Sequence, residues 1–249
     1  MEPYVKLNNK NGVGYIEFFH PAHNSLPGNL LSELARTITN AGEDASIKVL
    51  VLKSGGDRTF CAGASFTELI DINDEETGKV FFSGFANVIN AMRKCPKFII
   101  GRIQGKTVGG GVGLASATDY CMATKFAAIK LSELNVGIGP FVVGPAVQRK
   151  LGLGAMSQIA IDANTFYSAE WAQQKGLFTQ VYETVEELDE AVKTFAENLC
   201  NYNPKAMSEM KTMFWRGTED WDQLLIQRAK ISGRLVLSEF TKEKLKTYK

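Results

Sequence analysis

The chain has 249 residues and a formal net charge of +1, with 45% apolar and 22% charged residues. These values are ordinary for a globular protein with a large core in one or two domains. The small net charge argues against a general nucleic-acid binder, whose footprint is basic. No apolar run reaches the roughly eighteen residues of a membrane span. The N-terminus, Met1-Glu2-Pro3-Tyr4, lacks the basic and apolar parts of a signal peptide, so we expect a cytoplasmic protein.

The first part of the chain alternates predicted strands and helices. Alternating apolar residues predict strands over residues 4–7 and 14–19. Pro27-Gly28-Asn29 then opens a helical pattern, and the apolar run at residues 49–53 predicts a buried strand. The glycine-rich segment CAGASF follows at residues 61–66, and Ser65 is placed to cap a helix that begins directly after it.

A long helix is predicted over residues 75–93, since acidic residues at its start suit the helix dipole. Its apolar residues recur at helical spacing, and we interpret this stripe as core rather than as a ligand-binding surface. The stripe consists of Phe81, Phe82, Phe85, Val88, Ile89 and Met92.

The middle of the chain holds a second glycine-rich segment and one well-placed acid. A predicted strand at residues 98–103 leads into VGGGVGLA at residues 108–115, and a short helix is predicted over 110–116. Strands are predicted at 119–123 and 127–131, and Glu133 comes twenty positions after Gly113. Strand, glycine turn and helix thus recur along the chain.

Helices dominate the prediction beyond residue 143. Ser168 is placed to cap a helix over residues 169–175, and Pro204 is placed to begin a helix that continues to residue 213. A third helix is predicted over residues 221–237. The last of these carries leucines that pack either in a subunit interface or within the same subunit, namely Leu224, Leu225, Leu235 and Leu237. The basic stretch 241–249 is interpreted as a frayed tail, with attraction for phosphate groups as the alternative.

Cysteine and histidine usage limits the possible chemistry. The four cysteines are widely spaced, which favours free buried thiols in a reducing compartment. Cys61 adjoins the first glycine segment, but the two histidines of the chain, His20 and His23, both precede it, so we interpret Cys61 as structural. Two histidines without matched acids make a poor metal site, and we expect no metal.

The two glycine segments together indicate a site for developing negative charge. Small residues at the start of a helix leave backbone N–H groups bare, and such groups bind anions. Two sets aimed at one point make an oxyanion hole, beside which a carboxylate can move a proton. Either segment alone is explained by tight turns, whereas both together with Glu133 favour a catalytic site.

Both motifs, in this order and at this separation, resemble those of the crotonase (enoyl-CoA hydratase/isomerase) superfamily over nearly the whole chain. The resemblance implies an α/β fold, a crotonase-like spiral of ββα repeats with a helical C-terminal trimerisation region. It places the spiral core in residues 1–195 and the helical region in residues 196–249. It also implies an acyl-CoA substrate, no separate cofactor, and a homotrimer or a dimer of trimers.

The resemblance assigns roles to particular residues. The backbone N–H groups of Ala64 and Gly110 are expected to form the oxyanion hole for the thioester. Contacts to CoA are expected from the loop that includes Ala62 and Phe66, and from His23. Gly113 and Phe141 are expected to lie in the acyl pocket.

One departure from the family pattern bears on the reaction. Two-acid hydratases of the family carry a glutamate two residues after the Gly-Gly-Gly run, where this chain has Gly113. The second acid is kept as Glu133, which apolar neighbours such as Val136, Ile138 and Phe141 should give a raised pKa.

This single-acid pattern resembles that of the Δ3,Δ2-enoyl-CoA isomerases. We therefore expect Glu133 to carry a proton from C2 to C4 of a 3-enoyl-CoA. Hydration of a 2-enoyl-CoA is the competing reaction, with Glu68 or Asp71 as a possible second acid. Decarboxylation and ring closure also occur in single-acid members, and acyl-CoA binding without catalysis is a further alternative.

Overall fold

The computed structural model describes residues 1–247. Its strands are β1 Tyr4–Lys10, β2 Val13–Phe19, β3 Ser25–Leu26, β4 Val49–Ser54, β5 Thr59–Cys61, β6 Gly63–Ala64, β7 Ile99–Ile103, β8 Lys106–Val108, β9 Tyr120–Thr124, β10 Ala128–Lys130, β11 Tyr167–Ser168 and β12 Gln180–Tyr182. Its helices are α1 Gly28–Glu43, α2 Phe66–Ile70, α3 Glu75–Lys94, α4 Gly110–Ser116, α5 Gly144–Ile161, α6 Ala169–Gln174, α7 Val185–Leu199, α8 Pro204–Phe214, α9 Trp221–Val236 and α10 Glu239–Lys246, with a 3₁₀ turn at Glu133–Val136. The strands and helices predicted from the sequence are confirmed, with small shifts at their ends.

The main sheet has six strands in the order β1-β2-β4-β7-β9-β12. β1 and β2 form an antiparallel hairpin, and every later neighbour in this sheet is parallel. Strand β4 is nearly continuous in apolar residues, as expected for a parallel strand that is covered on both faces. Leu50 and Leu52 face the largest apolar cluster, which includes α1 and α3, while Val49 and Val51 face α7.

The second sheet has four strands in the order β11-β10-β8-β5. Its strands β5, β8 and β10 are parallel, and β11 is antiparallel to β10. The chain steps from the main sheet to this second sheet three times, from β4 to β5, from β7 to β8 and from β9 to β10. A helix or helical turn follows each step, which confirms the predicted spiral of ββα units.

The C-terminal helices pack on this spiral through a close contact between α3 and α9. A Cβ added at Gly78 of α3 would lie 2.8 Å from the Cα atom of Gly233 of α9. The two helices therefore touch backbone to backbone at this point. The predicted boundary after residue 195 falls inside α7, and the division into residues 1–195 and 196–249 stays a prediction.

The four leucines near the C-terminus pack within the subunit. Leu225 is fully buried and Leu224 packs against the main core, while Leu235 and Leu237 join a smaller cluster with Leu69. Within the single chain all four therefore make intra-subunit contacts, and whether the half-buried Leu224, Leu235 and Leu237 also meet a neighbouring subunit stays a prediction.

The frayed-tail interpretation of residues 241–249 is wrong for most of that stretch. Residues 239–246 form α10, in which Thr241 is fully buried and Leu245 is 5% exposed. A buried face anchors the helix against the rest of the chain, so it does not fray. Tyr248 and Lys249, which belong to the same predicted tail, lie outside the described residues. Across residues 1–247 no helix has the length and hydropathy that crossing a bilayer requires.

Candidate active site

Three neighbouring parallel strands bring the predicted site residues to one edge of the second sheet. Strand β8 lies between β5 and β10 and is parallel to both. The first glycine segment leaves the end of β5, the second leaves the end of β8, and Glu133 follows β10. Because the carboxyl ends of parallel strands meet at the same edge of a sheet, these segments converge.

Two glycines allow the converging segments to touch. Gly63 has a φ of +94°, and a Cβ added there would lie 3.3 Å from the carbonyl oxygen of Val108 and 3.7 Å from the nitrogen of Gly110. Gly109 has a φ of +52°, and a Cβ added there would lie 3.1 Å from Oε1 of Glu133. A residue with a side chain is strained at such φ values. The backbone of both loops and the Glu133 carboxylate are therefore in close contact.

Within residues 1–247 the local hydrogen bonding directs the N–H groups of Ala64 and Gly110 away from their own strand pair and helix. Helix α4 begins at Gly110, so the first N–H groups of the helix have no carbonyl partner within it. In the β3–β6 pair the Leu26 carbonyl accepts a hydrogen bond of 3.1 Å from the Ser65 N–H. Since N–H groups alternate in direction along a strand, the Ala64 N–H points away from β3. Ala64 and Gly110 line the same cavity as Glu133.

This cavity has a volume of about 360 Å³, which suits the reacting end of a thioester within the usual range of roughly 300–1,000 Å³ for ligand sites. Of the described residues that line it, Glu133 and Lys130 are charged. The other lining residues are Ala62, Gly63, Ala64, Phe66, Leu69, Phe81, Phe82, Phe85, Gly109, Gly110, Ser132, Asn135, Val136, Ile138, Gly139, Pro140, Phe141, Val142, Val143 and Ser232. The site is thus mostly apolar, with one carboxylate beside bare backbone donors.

Glu133 begins the 3₁₀ turn and faces the cavity. Its Oε2 atom is buried and has no hydrogen-bond partner within residues 1–247. Burial raises the pKa of Glu133 from 4.5 to about 7, although backbone hydrogen bonds at Glu133 and Ser132 oppose this shift. Val136, Ile138 and Phe141 line the same cavity, as the sequence predicted. A carboxyl group with a pKa near neutrality can both take up and return a proton.

Gly113 is buried and does not reach the cavity, contrary to the expectation that it lies in the acyl pocket. A Cβ added at Gly113 would lie 2.5 Å from Cγ1 of Val143 and 3.4 Å from Cδ1 of Ile89. Val143 itself lines the cavity. An apolar side chain therefore covers the position at which two-acid members of the resembled family carry a glutamate.

Neither Glu68 nor Asp71 lines the cavity. The Ser65 hydroxyl caps α2 by accepting a hydrogen bond from the Glu68 N–H at 3.3 Å, as predicted. The Glu68 carboxylate accepts a hydrogen bond of 2.9 Å from the Gly28 N–H, which ties α2 to the start of α1. Asp71 is exposed where α2 ends. Both acids that the sequence offered as a second catalytic group therefore lie elsewhere.

The residues predicted to contact CoA are divided between two places. Ala62 and Phe66 line the cavity beside the first glycine segment. His23 lies in a separate depression, together with His20 and Arg58. The structure therefore brings Ala62 and Phe66 to Glu133 but leaves His23 apart from them.

Cys61 is fully buried next to the first glycine segment. Burial raises the pKa of its thiol to about 12. A thiol with so high a pKa stays protonated and is a poor nucleophile, which agrees with the structural role expected from the sequence. In the part of the chain that the structure describes, no group of three or more histidine, cysteine or acidic side chains is placed to hold a metal ion.

The helices contribute cavity residues that the sequence interpretation missed. Phe81, Phe82 and Phe85 line the cavity. Phe85 also belongs to the buried core, as predicted, whereas Phe81 and Phe82 are half-buried, so the interpretation of the α3 stripe as core alone is wrong for these two. Phe85 is four residues from Phe81 and three from Phe82, so the rings share one face of α3, the long helix that comes after the first glycine segment and α2. That position was the available signal. Three missed polar residues also line the cavity, namely Ser132, Asn135 and Ser232. Nothing in the sequence around Ser232 indicated that it would line the cavity.

The fold and the cavity define an α/β protein in which one carboxylate, Glu133, lies beside two glycine-rich segments. The model of the family "Enoyl-CoA hydratase/isomerase" matches residues 8–248. This match covers nearly the whole chain, so the protein belongs to the enoyl-CoA hydratase/isomerase family and is an enzyme of that family. Membership of the family implies an acyl-CoA substrate.

The relatives of this chain include a protein named as an isomerase and a protein named for a hydratase domain. It is 26% identical over 231 residues, covering 86% of this chain and 81% of the relative, to the peroxisomal Delta(3,5)-Delta(2,4)-dienoyl-CoA isomerase of Arabidopsis thaliana. It is 30% identical over 202 residues, covering 80% of this chain and 68% of the relative, to the mitochondrial enoyl-CoA hydratase domain-containing protein 2 of Homo sapiens. The crystal structure of enoyl-CoA hydratase from Bacillus halodurans matches with a TM-score of 0.90 at 21% identity, covering 98% of this chain and 99% of that one. The last match confirms the predicted crotonase fold.

Proposed function

We propose that the protein isomerises 3-enoyl-CoA thioesters to 2-enoyl-CoA thioesters, with Glu133 as the single proton shuttle. One observation carries this proposal. Among the described residues that line the cavity, Glu133 is the sole acid, and its buried Oε2 atom has no hydrogen-bond partner there. An acid that must act alone suits a reaction in which one proton leaves and returns on the same face of the substrate.

The reaction moves a double bond and conserves all atoms. The Glu133 carboxylate removes a proton from C2, and the electron pair delocalises onto the thioester oxygen and along the double bond between C3 and C4. The N–H groups of Ala64 and Gly110 would stabilise the resulting enolate oxygen, as preorganised backbone donors do in oxyanion holes. The protonated Glu133 then returns its proton to C4, which leaves the double bond between C2 and C3.

The raised pKa of Glu133 supports both halves of this cycle. A pKa of about 7 leaves a substantial part of the carboxyl groups ionised near neutrality. The same pKa makes protonated Glu133 a weaker acid than an ordinary carboxylic acid but a stronger one than an ammonium group, so it can still protonate an enolate. General acid–base catalysis is most efficient when the pKa lies near the working pH, since the group must act in both directions.

Hydration of a 2-enoyl-CoA is the second candidate, because the family also contains hydratases. Ser132 and Asn135 line the cavity on either side of Glu133 and offer polar groups for a water molecule. Against this reading, Val143 covers Gly113, and neither Glu68 nor Asp71 lines the cavity. Hydration would therefore have to proceed with one carboxylate.

A paired assay tests the assignment. The purified protein is incubated with 3-hexenoyl-CoA and, separately, with 2-hexenoyl-CoA, and the products are separated by chromatography against the two authentic esters, which have equal mass, and then analysed by mass spectrometry. We expect the 3-enoyl ester to give the 2-enoyl ester without the mass of a water molecule. Formation of a water adduct from the 2-enoyl ester at a comparable rate would contradict the isomerase assignment. Binding of both esters without turnover would instead favour an acyl-CoA-binding protein.

We also propose that the protein works as a homotrimer or a dimer of trimers, and in the cytoplasm. Several large apolar side chains are exposed on the single subunit, including Phe126 at 63%, Leu134 at 52% and Ile161 at 74%. Because Leu134 follows Glu133 directly, an interface there would lie next to the active-site turn. Sedimentation velocity tests the assembly, and a monomer at micromolar concentration would contradict it. Fractionation of the source cells tests the location.

A further inference from the structure

The apolar wall of the cavity beyond the proposed oxyanion hole includes several phenylalanine rings. The Phe85 ring lies directly against Gly110, since a Cβ added at Gly110 would lie 2.3 Å from Cζ of Phe85. Phe81 and Phe82 stand one helical turn earlier on α3 and line the same cavity. The rings of Phe81 and Phe82 meet edge to face, with centroids 5.0 Å apart and planes at 90°. Helix α3 thus presents a run of ring faces and edges from the oxyanion hole outward.

Two further rings enclose the same space from other elements. Phe66 begins α2 and Phe141 follows the 3₁₀ turn, and both line the cavity. The aliphatic members of this wall are Leu69, Ile138, Val136, Val142 and Val143. Five rings from three separate segments therefore surround the space that lies next to Glu133.

Lys130, the one cation among the described residues of the cavity wall, packs its ammonium group against a ring outside the cavity. Lys130 lines the cavity, but its ammonium group lies 5.1 Å from the centroid of the Phe166 ring. Phe166 is 42% exposed and does not line the cavity. Among the described residues that line this cavity Lys130 is the one cation, and its ammonium group is already engaged by the Phe166 ring.

We propose that the acyl group of the substrate is uncharged and ends in an aromatic ring, which packs against Phe81 and Phe82. The position of the thioester in this proposal rests on the proposed function. Aromatic rings in edge-to-face or offset contact gain attraction beyond the area that they bury. A carboxylate at the same place would lose its hydration without gaining a partner. The wall therefore selects for an aromatic end and against an anionic one.

Calorimetric titration with saturated acyl-CoA thioesters tests this selection without depending on the reaction, because none of these esters can be isomerised or hydrated. The esters are hexanoyl-CoA, decanoyl-CoA, 6-phenylhexanoyl-CoA and 5-carboxypentanoyl-CoA. We expect 6-phenylhexanoyl-CoA to bind about two- to tenfold more tightly than decanoyl-CoA, which has a comparable apolar size. We expect 5-carboxypentanoyl-CoA to bind at least about thirtyfold more weakly than hexanoyl-CoA.

The results separate this inference from the proposed function. Decanoyl-CoA binding as tightly as the phenyl ester, or 5-carboxypentanoyl-CoA binding within threefold of hexanoyl-CoA, would overturn the inference while leaving the isomerase proposal intact. Failure of all four esters to bind would overturn both. Isomerase activity without hydration, in the assay above, supports the proposed function whichever order of affinities is found.

A matched pair of variants tests whether the preference for an aromatic end depends on a ring of α3. Phe82→Leu removes one ring from the wall but keeps an apolar side chain, and we expect it to bring the affinities for the phenyl and decanoyl esters to within about twofold of each other. Phe195→Leu is the control, since Phe195 packs against Tyr120 and lies outside the cavity. An unchanged preference in a folded Phe82→Leu variant would contradict the role of this ring. If that variant does not fold, the order of affinities in the unmodified protein still decides the inference.

Discussion

The two walls of the cavity have different physical origins. One wall is formed at the ends of β5, β8 and β10, where the main-chain conformations of Gly63 and Gly109 place backbone N–H groups beside Glu133. The other is formed by side chains of α3 and α9, such as Phe82 and Ser232. The first wall is fixed by the hydrogen-bonded register of a sheet, and the second by how closely two helices pack. Changes at the strand ends should therefore alter the rate of reaction, whereas changes on the helices should alter which acyl group binds.

The largest expected effect comes from replacing the carboxylate at the strand ends. Glu133→Gln keeps the shape of the side chain but removes the base, so kcat should fall by about 10²–10⁴-fold or more, the usual contribution of a general base. Affinity for a saturated acyl-CoA should change little, because the helix wall is untouched. Steady-state kinetics and calorimetry on the same preparation measure both quantities.

Glu68→Gln is the matched control for that variant. Glu68 is also an acid close to the first glycine segment, but its carboxylate bonds the Gly28 N–H and does not line the cavity. Glutamine keeps a hydrogen-bond acceptor for that N–H, so turnover should stay near that of the unmodified protein. A loss in Glu68→Gln as large as that in Glu133→Gln would mean that two acids take part.

A smaller but still large effect is expected from Gly109→Ala. The added methyl group would meet Oε1 of Glu133 at 3.1 Å, at a φ of +52° that alanine tolerates poorly. The backbone must then turn, which misdirects the neighbouring Gly110 N–H, and losing one oxyanion donor costs about 10²–10³-fold in kcat.

Gly217→Ala separates loss of the site from simple backbone strain. Gly217 has a φ of +80°, and a Cβ there would meet nothing within 4 Å. Both variants should lose stability in chemical denaturation, while only Gly109→Ala should lose activity beyond the loss of folded protein. Equal losses of activity in the two variants would remove the support for Gly110 as an oxyanion donor.

The dependence of activity on pH reports on the burial of Glu133. Because the ionised form is the base, kcat/KM should rise about tenfold per pH unit below the pKa and level off above it. The raised pKa places this change at about 7 instead of at the ordinary value of 4.5. A profile that is flat from about pH 5 upward would show that water reaches the carboxylate in solution and restores an ordinary pKa.

The same shift predicts how stability changes with pH. The pKa of about 7 in the folded chain exceeds the ordinary 4.5, so the folded state binds this proton more tightly than the unfolded state does. The resulting stabilisation is complete below the lower value and is lost as the pH rises through about 7. Its upper limit is about 3 kcal/mol, and it is absent from Glu133→Gln. Chemical denaturation of both proteins between these pH values should therefore show the variant gaining stability relative to the unmodified chain.

The sequence predicted the strand-end wall far better than the helix wall, for a physical reason. The glycine segments and Glu133 follow predicted strands directly, and parallel pairing alone then brings them to one edge. Phe81 and Phe82 carry the same periodicity as Val88 and Ile89, and that periodicity does not distinguish a cavity from a packed core. Which of them faces the cavity depends on where α9 crosses α3, and this is set by the contact of Gly78 with Gly233.

Gly113, which lies behind the cavity-lining Val143 and does not itself reach the cavity, gives the smallest expected effect. A methyl group there would lie 2.5 Å from Cγ1 of Val143, so Gly113→Ala should cost about 1–3 kcal/mol of stability through overpacking. Gly154→Ala is the control, since a Cβ there meets nothing within 4 Å and the residue lies in α5. Alanine at that position should stabilise the protein by about 0.4–1 kcal/mol.

Urea denaturation of Gly113→Ala and Gly154→Ala measures whether the first variant is less stable and the second more stable than the unmodified protein. If Gly113→Ala is as stable as the unmodified chain, Val143 can move aside, and a glutamate at residue 113 would then have room to reach the cavity. If it is destabilised as expected, a second acid cannot enter at this position without a smaller residue at Val143. The single-acid character of the site would then be a consequence of packing between α4 and Val143, and not only of one missing carboxylate.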